Sequence, residues 1–471
     1  MQAKIFFGST KEQRENISDR QSPYSGEVVS TAPICSAKDA LKALKIAQAA
    51  TKEAKASTIS QRCSWLLDVA SKLKKNKEDI AQTITDEVGK PITFARIEVD
   101  RCIETVTLSA ETMRTMHGET INTDAFASGK KTISYFSREP IGVAVAITPF
   151  NFPLNLIAHK LAPALVAGNC VVLKPTPEAP LTAYKFAKLF IESEYAVKDA
   201  LSVVYGDAEV GSALITSDIP RVISFTGSVP VGEIITKNAG IKKVSLELGG
   251  NAATYIDSSA DLDLSAKRCA LGAFVNSGQV CISLQRIYVD AKVYDEFATK
   301  MAEETKKLKV SSPYKDDTFM GPLIDAQAAK RAMNWVQSAI DEGARALLTP
   351  SCDGVMFSPC VMADVRDDMA IVCEEVFAPI VSLVKVESFD DALPRMNNSP
   401  YGLQSSVFTN DLSITKRAIS ELEAGGVVIN DMPTLRFDIQ PYGGVKLSGV
   451  GREGPRFAIE EFTEIKSIVI C

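Results

Sequence analysis

Short apolar runs and longer mixed stretches alternate along the chain in a repeating order. The run "GVAVAIT" (142–148) is followed by a proline-led stretch over 153–167 and a second apolar run, "CVVLK" (170–174). Short apolar runs bounded by turn residues read as buried strands, so this segment predicts a βαβ unit. Further strand candidates follow at "LSVVY" (201–205), "RVISF" (221–225) and "KKVSLEL" (242–248), with helical stretches between them. The pattern predicts an α/β fold built on a doubly wound parallel sheet. Upstream, 36–117 reads as helical, with Ser36 the N-cap of the run "AKDALKALKIAQAA". Residues 121–139 place Ser128 and Gly129 between two extended segments, which predicts a hairpin. A second α/β region runs from Gly250 to about 440, and the last residues, "SIVIC", read as an apolar strand needing a partner.

Composition narrows the possibilities. A chain of 471 residues exceeds what one core organises and predicts two or three domains. Lysines and arginines (52) are scattered and outnumbered by 58 acidic residues, for a net charge of -6, which argues against a nucleic-acid partner. The apolar region 140–173 is interrupted by Pro149, Asn151, Pro153, Asn155, His159, Lys160 and Pro163, so no membrane span is predicted. Ten cysteines without a CxxC pair read as free thiols in a reducing compartment, and "MQAKIFFGSTKEQRENISDR" carries no signal-peptide pattern. Both lead to an expected cytoplasmic location.

Several segments offer chemistry. The one GxGxxG, from Gly449 to Gly454, lacks the strand, helix and later acidic residue of a dinucleotide fingerprint and reads as a tight, flexible turn. "FTGSVPVGEIITKNA" (225–239) is the better phosphate site, because a strand ends at Phe225 and a helix begins near Ser228. Lys174 ends its strand where such sheets bind ligands. Cys281, in "GQVCIS", stands in a small glycine-led turn rather than an apolar run, as a reactive thiol requires. Only His117 and His159 could serve it as imidazole bases, and two histidines without a cysteine pair predict no zinc site. Glu247, in "SLELGGN", is an acid in an apolar strand, where burial would raise its pKa toward neutrality; a pair with Lys243 is the competing assignment. Asn151, in "TPFNFPLN", could donate to an oxyanion or simply form a turn.

Taken in order, "TPFNFPL", "LKPTPEAP", "FTGS", "LELGGN", "GQVC", "EEVFAPI" and "PYGGVKLSGVGREG" resemble the aldehyde dehydrogenase superfamily over essentially the whole chain. The resemblance implies a Rossmann-like cofactor-binding domain (1–120 and 140–248), a second α/β catalytic domain (249–440) and oligomerisation elements (121–139 and 441–471). In that arrangement the tail of one subunit lies beside the hairpin of its neighbour, in a homodimer or homotetramer. The resemblance also implies that Cys281 attacks the aldehyde, that Asn151 and the Cys281 amide hold the oxyanion, and that Glu247 activates the hydrolytic water. Lys174 and Glu375 would hold ribose hydroxyls, Phe377 would pack beside the nicotinamide ribose, and Gly227 and Ser228 would meet the pyrophosphate, with Thr148, Phe150 and Leu248 as further cofactor contacts.

The same resemblance frames the alternatives. Enzymes of this kind that pass the thioester to coenzyme A lack a glutamate at the position of Glu247, and a non-catalytic relative could dispense with Cys281. "ARIEVDRCIET" (95–105) and "NDMPTLRFDIQPYGG" (430–444) look most like the lactaldehyde dehydrogenase group, whose neighbours act on glyceraldehyde 3-phosphate or phosphonoacetaldehyde. Val280, Ile282 and Ser283 stand where relatives taking phosphorylated aldehydes carry an arginine, Phe152 where phosphonoacetaldehyde enzymes carry a histidine, and His159 where succinate-semialdehyde enzymes carry an arginine. A small uncharged 2-hydroxyaldehyde is therefore expected, with Arg101, Phe152, Ile282 and Arg436 as substrate contacts. Pro177 replaces the glutamate common in NAD-preferring relatives, so NAD is expected with NADP tolerated.

Overall fold

A computed structural model describes all 471 residues. The helical run of the N-terminal region resolves into Ala37–Ala56, Ile59–Lys75, Lys77–Val88 and Ile92–Thr115. Ser36 caps the first, its backbone amide and hydroxyl both donating to the Asp39 carboxylate at 2.8 Å.

Five parallel strands follow, each buried because helices cover both faces: Val143–Ile147, Cys170–Lys174, Leu201–Val203, Val222–Thr226 and Lys243–Glu247. In space the first of these lies between the second and the fourth, so the strand order reverses beside Val143–Ile147. Sheets of this type bind ligands outside the strand C-termini at such a reversal. Thr148, Lys174, Gly227 and Glu247 all stand at that edge.

A second sheet runs in the order Arg345–Leu348, Cys360–Ala363, Ile380–Val386, Leu284–Asp290, Ala252–Ile256, Gln404–Phe408 and Gly426–Ile429, parallel except for its first pair. One hydrophobic cluster includes Val145 of the first sheet and Tyr255 and Tyr288 of the second, so the two sheets share a core. No helix is long and apolar enough to cross a membrane.

The hairpin is present and two other expectations change. Across it the Ile121 amide donates to the Ser134 carbonyl at 2.9 Å and the Phe136 amide to the Glu119 carbonyl at 3.0 Å, with Thr120 bridged antiparallel to Tyr135, while the Gly129 amide donates to the Phe126 carbonyl at 2.8 Å within the turn. Its second arm, Ile133–Pro140, is the longer strand. The final strand, Thr463–Ile470, pairs with Ile133–Pro140 of its own chain along its whole length, not with a neighbour's. The reason is local: the preceding helix, Pro455–Glu461, packs on Asn155–Val166, and Phe462 accepts from the Ile141 amide, which brings the tail beside Pro140.

The GxGxxG stretch is likewise not a flexible turn. Gly449–Val450 pairs antiparallel with the end of Lys243–Glu247, Gly449 opposite Glu247. A Cβ on Gly449 would stand 2.1 Å from the Leu246 carbonyl oxygen, so only glycine lets this strand approach.

The entry to Asn155–Val166 is held from a distance. Glu98, on Ile92–Thr115, accepts from the Leu154 and Asn155 amides at 2.9 and 3.1 Å and pairs with the Lys90 ammonium, both side chains 1% exposed. Glu98→Ala would leave a buried cation and two buried amides without partners, a loss of roughly 3–5 kcal/mol. A lowered midpoint in thermal or urea denaturation, larger for Glu98→Ala than for Glu98→Gln, is the expected outcome.

Candidate active site

Cys281 reaches its position through a strained approach. After the helix Leu262–Phe274, three consecutive residues are left-handed: Asn276 (φ 52°), Ser277 (φ 56°) and Gly278 (φ 70°). The first two hold this conformation at a cost of order 1–3 kcal/mol each. Fixed bonds offset it: Ser277 Oγ donates to the Gly321 carbonyl at 2.9 Å, Asn276 Nδ2 to the Asn151 carbonyl at 3.4 Å, and Gln279 Oε1 accepts from the Ile324 amide at 2.9 Å. At Gly278 any side chain would strike the Ala378 carbonyl, at 2.2 Å from the Cβ position. The loop delivers a half-buried Cys281 whose Sγ lies 3.1 Å from the Tyr442 hydroxyl. Burial pushes its thiol up to about 11, although the Tyr442 hydrogen bond and the Arg436 charge pull it down.

Cys281 faces a cavity of 250 Å³ whose walls include Glu247, Phe152, Arg101, Arg436 and Tyr442. Glu247 is 3% exposed and neither carboxyl oxygen has a hydrogen-bond partner. Burial, followed by the nearby Glu453 charge, raises its pKa well above the carboxylate range against the pull of Arg436, Lys160 and Arg452. The competing assignment fails, since Lys243 pairs with Glu461 at 3.3 Å. A carboxyl of raised pKa and a thiol in one small cavity can each exchange protons with a trapped water.

Behind these two groups lies a continuous ionic network. Asp438 accepts from Arg101 Nη2 at 2.7 Å and Nε at 3.0 Å, and from His159 Nε2 at 3.1 Å. Arg436 donates to Glu453 at 3.2 Å and lies over the Tyr442 ring at 3.6 Å from its centre, while Lys160 donates to Glu453 and to Ser224, both at 3.1 Å. Burial, followed by the Arg436 charge, lowers the His159 pKa, and its Nε2 lies between Asp438 at 3.1 Å and Arg436 Nη2 at 3.2 Å.

The structure brings the four expected substrate contacts, Arg101, Phe152, Ile282 and Arg436, onto the walls of this cavity. Asn151 is buried beside Phe152, its Oδ1 accepting from the Phe152 amide at 3.1 Å; the amides that line the cavity itself are Asn155 and Asn276. His117 lies elsewhere, bonded only to the Thr115 carbonyl at 2.8 Å. Sequence reasoning did not single out Tyr442, Glu453, Asp438, Lys90 or Glu98. Tyr442 and Glu453 stand within "PYGGVKLSGVGREG", and Asp438 within "NDMPTLRFDIQPYGG", so their segments carried a signal though the individual side chains did not.

The residues expected around a cofactor lie along the strand C-termini. Ser228 is the N-cap of Val229–Ala239, with Pro230 in the first turn and no side-chain cap bond, which leaves first-turn amides for an anion. Lys174 is buried and its pKa is lowered by desolvation. Leu248 packs over Gly232, where a Cβ would lie 2.7 Å away, and Phe150 meets Phe377 edge to face with ring centres 6.0 Å apart. Phe377 itself is held at φ 49°. Glu375 accepts from the Gly250 amide at 3.0 Å, and burial raises its pKa to about 7. The hydroxyls of Thr148 and Thr226 are buried without partners. Orphaned hydroxyls, free helix amides and a buried ammonium at one sheet edge suit a ligand rich in phosphate and hydroxyl groups, and a dinucleotide fits them.

Comparisons with known proteins agree with this geometry. The chain is 42% identical to the 3-sulfolactaldehyde dehydrogenase of Priestia aryabhattai over 427 residues, covering 90% of this chain and 89% of that protein. It is 39% identical to the lactaldehyde dehydrogenase of Methanococcus aeolicus over 454 residues, 96% of each. Among solved structures, glyceraldehyde-3-phosphate dehydrogenase from Methanocaldococcus jannaschii, complexed with NADP, superimposes with a TM-score of 0.93 at 38% identity, covering 97% of this chain and 99% of that one. The family model described as "Aldehyde dehydrogenase family" matches residues 9–468, so the likeness read from seven short motifs extends through the core and both sheets, and the chain belongs to the aldehyde dehydrogenase family of oxidoreductases.

Proposed function

We propose that this enzyme oxidises a short 2-hydroxyaldehyde of the lactaldehyde type to its carboxylic acid, with Cys281 as nucleophile and Glu247 as base. The observation that carries this reading is the shared cavity, in which a half-buried thiol faces a carboxyl that has no other partner. The thiol proton leaves to water, and the raised pKa of Glu247 makes it a stronger base for the later hydrolytic step. The thiolate attacks the aldehyde carbon to form a thiohemiacetal, whose oxyanion Asn151 and the Cys281 amide hold. When bound along Thr148, Phe150, Lys174, Gly227, Ser228, Leu248, Glu375 and Phe377, NAD(P) supplies the hydride acceptor. Loss of hydride leaves a thioester on Cys281. Ionised Glu247 then takes a proton from the water that hydrolyses it, while Lys160 and Arg436 stay paired with the Glu453 carboxylate beside it. NAD is the expected partner and NADP is accepted, because Pro177 offers no carboxylate to repel a 2′-phosphate.

The substrate class rests on the small cavity and on two relatives whose names share a 2-hydroxypropanal frame. One observation favours a second reading, a singly charged tail on that frame. Arg101 and Arg436 both line the cavity, and their guanidiniums suit the single charge of a sulfonate. We also propose that the chain assembles as a dimer or tetramer through its outlying sheet, where Ile133, Ile465 and Val469 are exposed. A lower molar mass by light scattering on deletion of 464–471 is expected, and an unchanged mass in a soluble variant would rule the sheet out as the joint.

Cys281→Ala should lose turnover while cofactor affinity stays near that of the unaltered enzyme; retained turnover would remove Cys281 from the mechanism. Glu247→Gln should release about one reduced cofactor per site and then stall. Because both Cys281 and Glu247 titrate high, kcat/KM should climb as pH rises above neutrality, and a fall over that range would contradict the assignment. Lactaldehyde and 3-sulfolactaldehyde should each give a higher kcat/KM than glyceraldehyde 3-phosphate. A sulfonated substrate outperforming lactaldehyde would select the second reading, and a preference for the phosphate would exclude both.

A further inference from the structure

We propose that the Tyr442 hydroxyl is a catalytic group that donates a hydrogen bond to the Cys281 thiolate and so sets how much of the nucleophile is ionised before attack. The inference deepens the function proposed above and rests on Cys281 as its nucleophile. The Tyr442 oxygen lies 3.1 Å from Sγ, the one hydrogen bond that the Cys281 side chain makes. A thiolate carries no proton, so in the reactive form the hydroxyl is the donor.

Tyr442 is held for this task from three sides. Its amide donates to the Glu453 carbonyl at 3.0 Å and its carbonyl accepts from the Glu453 amide at 2.7 Å, which fixes the backbone. The ring packs with Val280, Ile282 and Leu403, and Arg436 covers one face at 3.6 Å. A phenylalanine would satisfy every one of these contacts, so packing alone does not require the hydroxyl. A cation over the ring draws electron density from the phenol and strengthens its O–H as a donor. Burial pushes the Tyr442 pKa well above its usual value, so the hydroxyl keeps its own proton while the thiol titrates. The thiol proton leaves to water. As the S–C bond forms, charge passes from sulfur to the aldehyde oxygen and the hydrogen bond relaxes.

Two effects oppose each other, and their sizes decide the outcome. A hydrogen bond to a charged group is worth about 1.5–3 kcal/mol, or roughly one to two pKa units. Each unit gained multiplies the thiolate fraction about ten-fold below the pKa, while a Brønsted coefficient of about 0.4–0.5 lowers its reactivity roughly three-fold. With the thiol at about 11, the gain in thiolate wins at neutral pH.

The test reads the sulfur directly and needs no knowledge of the substrate. Labelling of Cys281 by methyl methanethiosulfonate is followed by mass spectrometry across pH, with Cys281→Ala as the blank for Cys352, Cys373 and Cys471, which are exposed. Tyr442→Phe should label roughly three-fold or more slowly near neutrality, its ultraviolet thiolate titration displaced to higher pH, with cofactor binding retained. Equal rates at every pH would overturn the proposal. Should Tyr442→Phe lose cofactor binding, unaltered protein grown with fluorotyrosine, a stronger donor, is expected to shift the titration downward, and an unmoved titration would overturn it. Turnover surviving in Cys281→Ala would instead overturn the functional reading, in a separate assay.

Discussion

A carboxyl buried without a hydrogen-bond partner is expensive, and the architecture around Glu247 is arranged about that cost. Its strand is parallel to Val222–Thr226 on one side and covered by Gly449–Val450 on the other, so no solvent reaches the backbone that carries it. A second carboxyl, Glu453, stands close enough to raise its pKa further. Two like charges so near one another persist only because Lys160 and Arg436 are buried with them. The Glu247 carboxyl is thereby held with a raised pKa beside the cations that make its ionised form attainable.

Asp438 extends the same principle to the opposite wall. It gathers Arg101 and His159 by hydrogen bonds and stands 3.5 Å from Arg436 Nε, so two arginines that would otherwise repel each other share one carboxylate. The cavity is consequently polar at one end and apolar around Phe152, Val280 and Ile282. A short aldehyde with a hydroxyl or an anionic group beside the carbonyl matches that division, whereas a long hydrocarbon chain does not.

The parallel sheet was legible because each strand is a short valine-rich run, and the residues at its C-terminal edge were legible because topology alone places them there. Cys281 announced itself by its glycine-led turn. What the sequence left hidden depends on distance. Nothing local to Asp438 says that it meets Arg101, which lies on a helix more than three hundred residues earlier. Lys90 and Glu98 are eight residues apart, yet their burial becomes visible only when Leu154 and Asn155 arrive to use the same carboxylate. The hairpin was legible because Ser128 and Gly129 stand between two extended segments, and the Ile121 amide does donate to the Ser134 carbonyl across it. The tail was misassigned to a neighbour because strand character says only that a partner is needed, and the helix that steers it home comes from packing.

The pairing of Gly449 with Glu247 has a consequence for biosynthesis. The strand that covers Glu247 is about two hundred residues downstream of it. At roughly 5–20 residues per second, a ribosome takes about 10–40 s to supply that cover after Glu247 has emerged. During that interval the first sheet has an open edge beside Glu247, with Lys160 already present and Glu453 and Arg436 still unmade. The sheet therefore completes itself only after the second one has been synthesised, and the nascent chain is most exposed to mispairing while the enzyme is already mostly built.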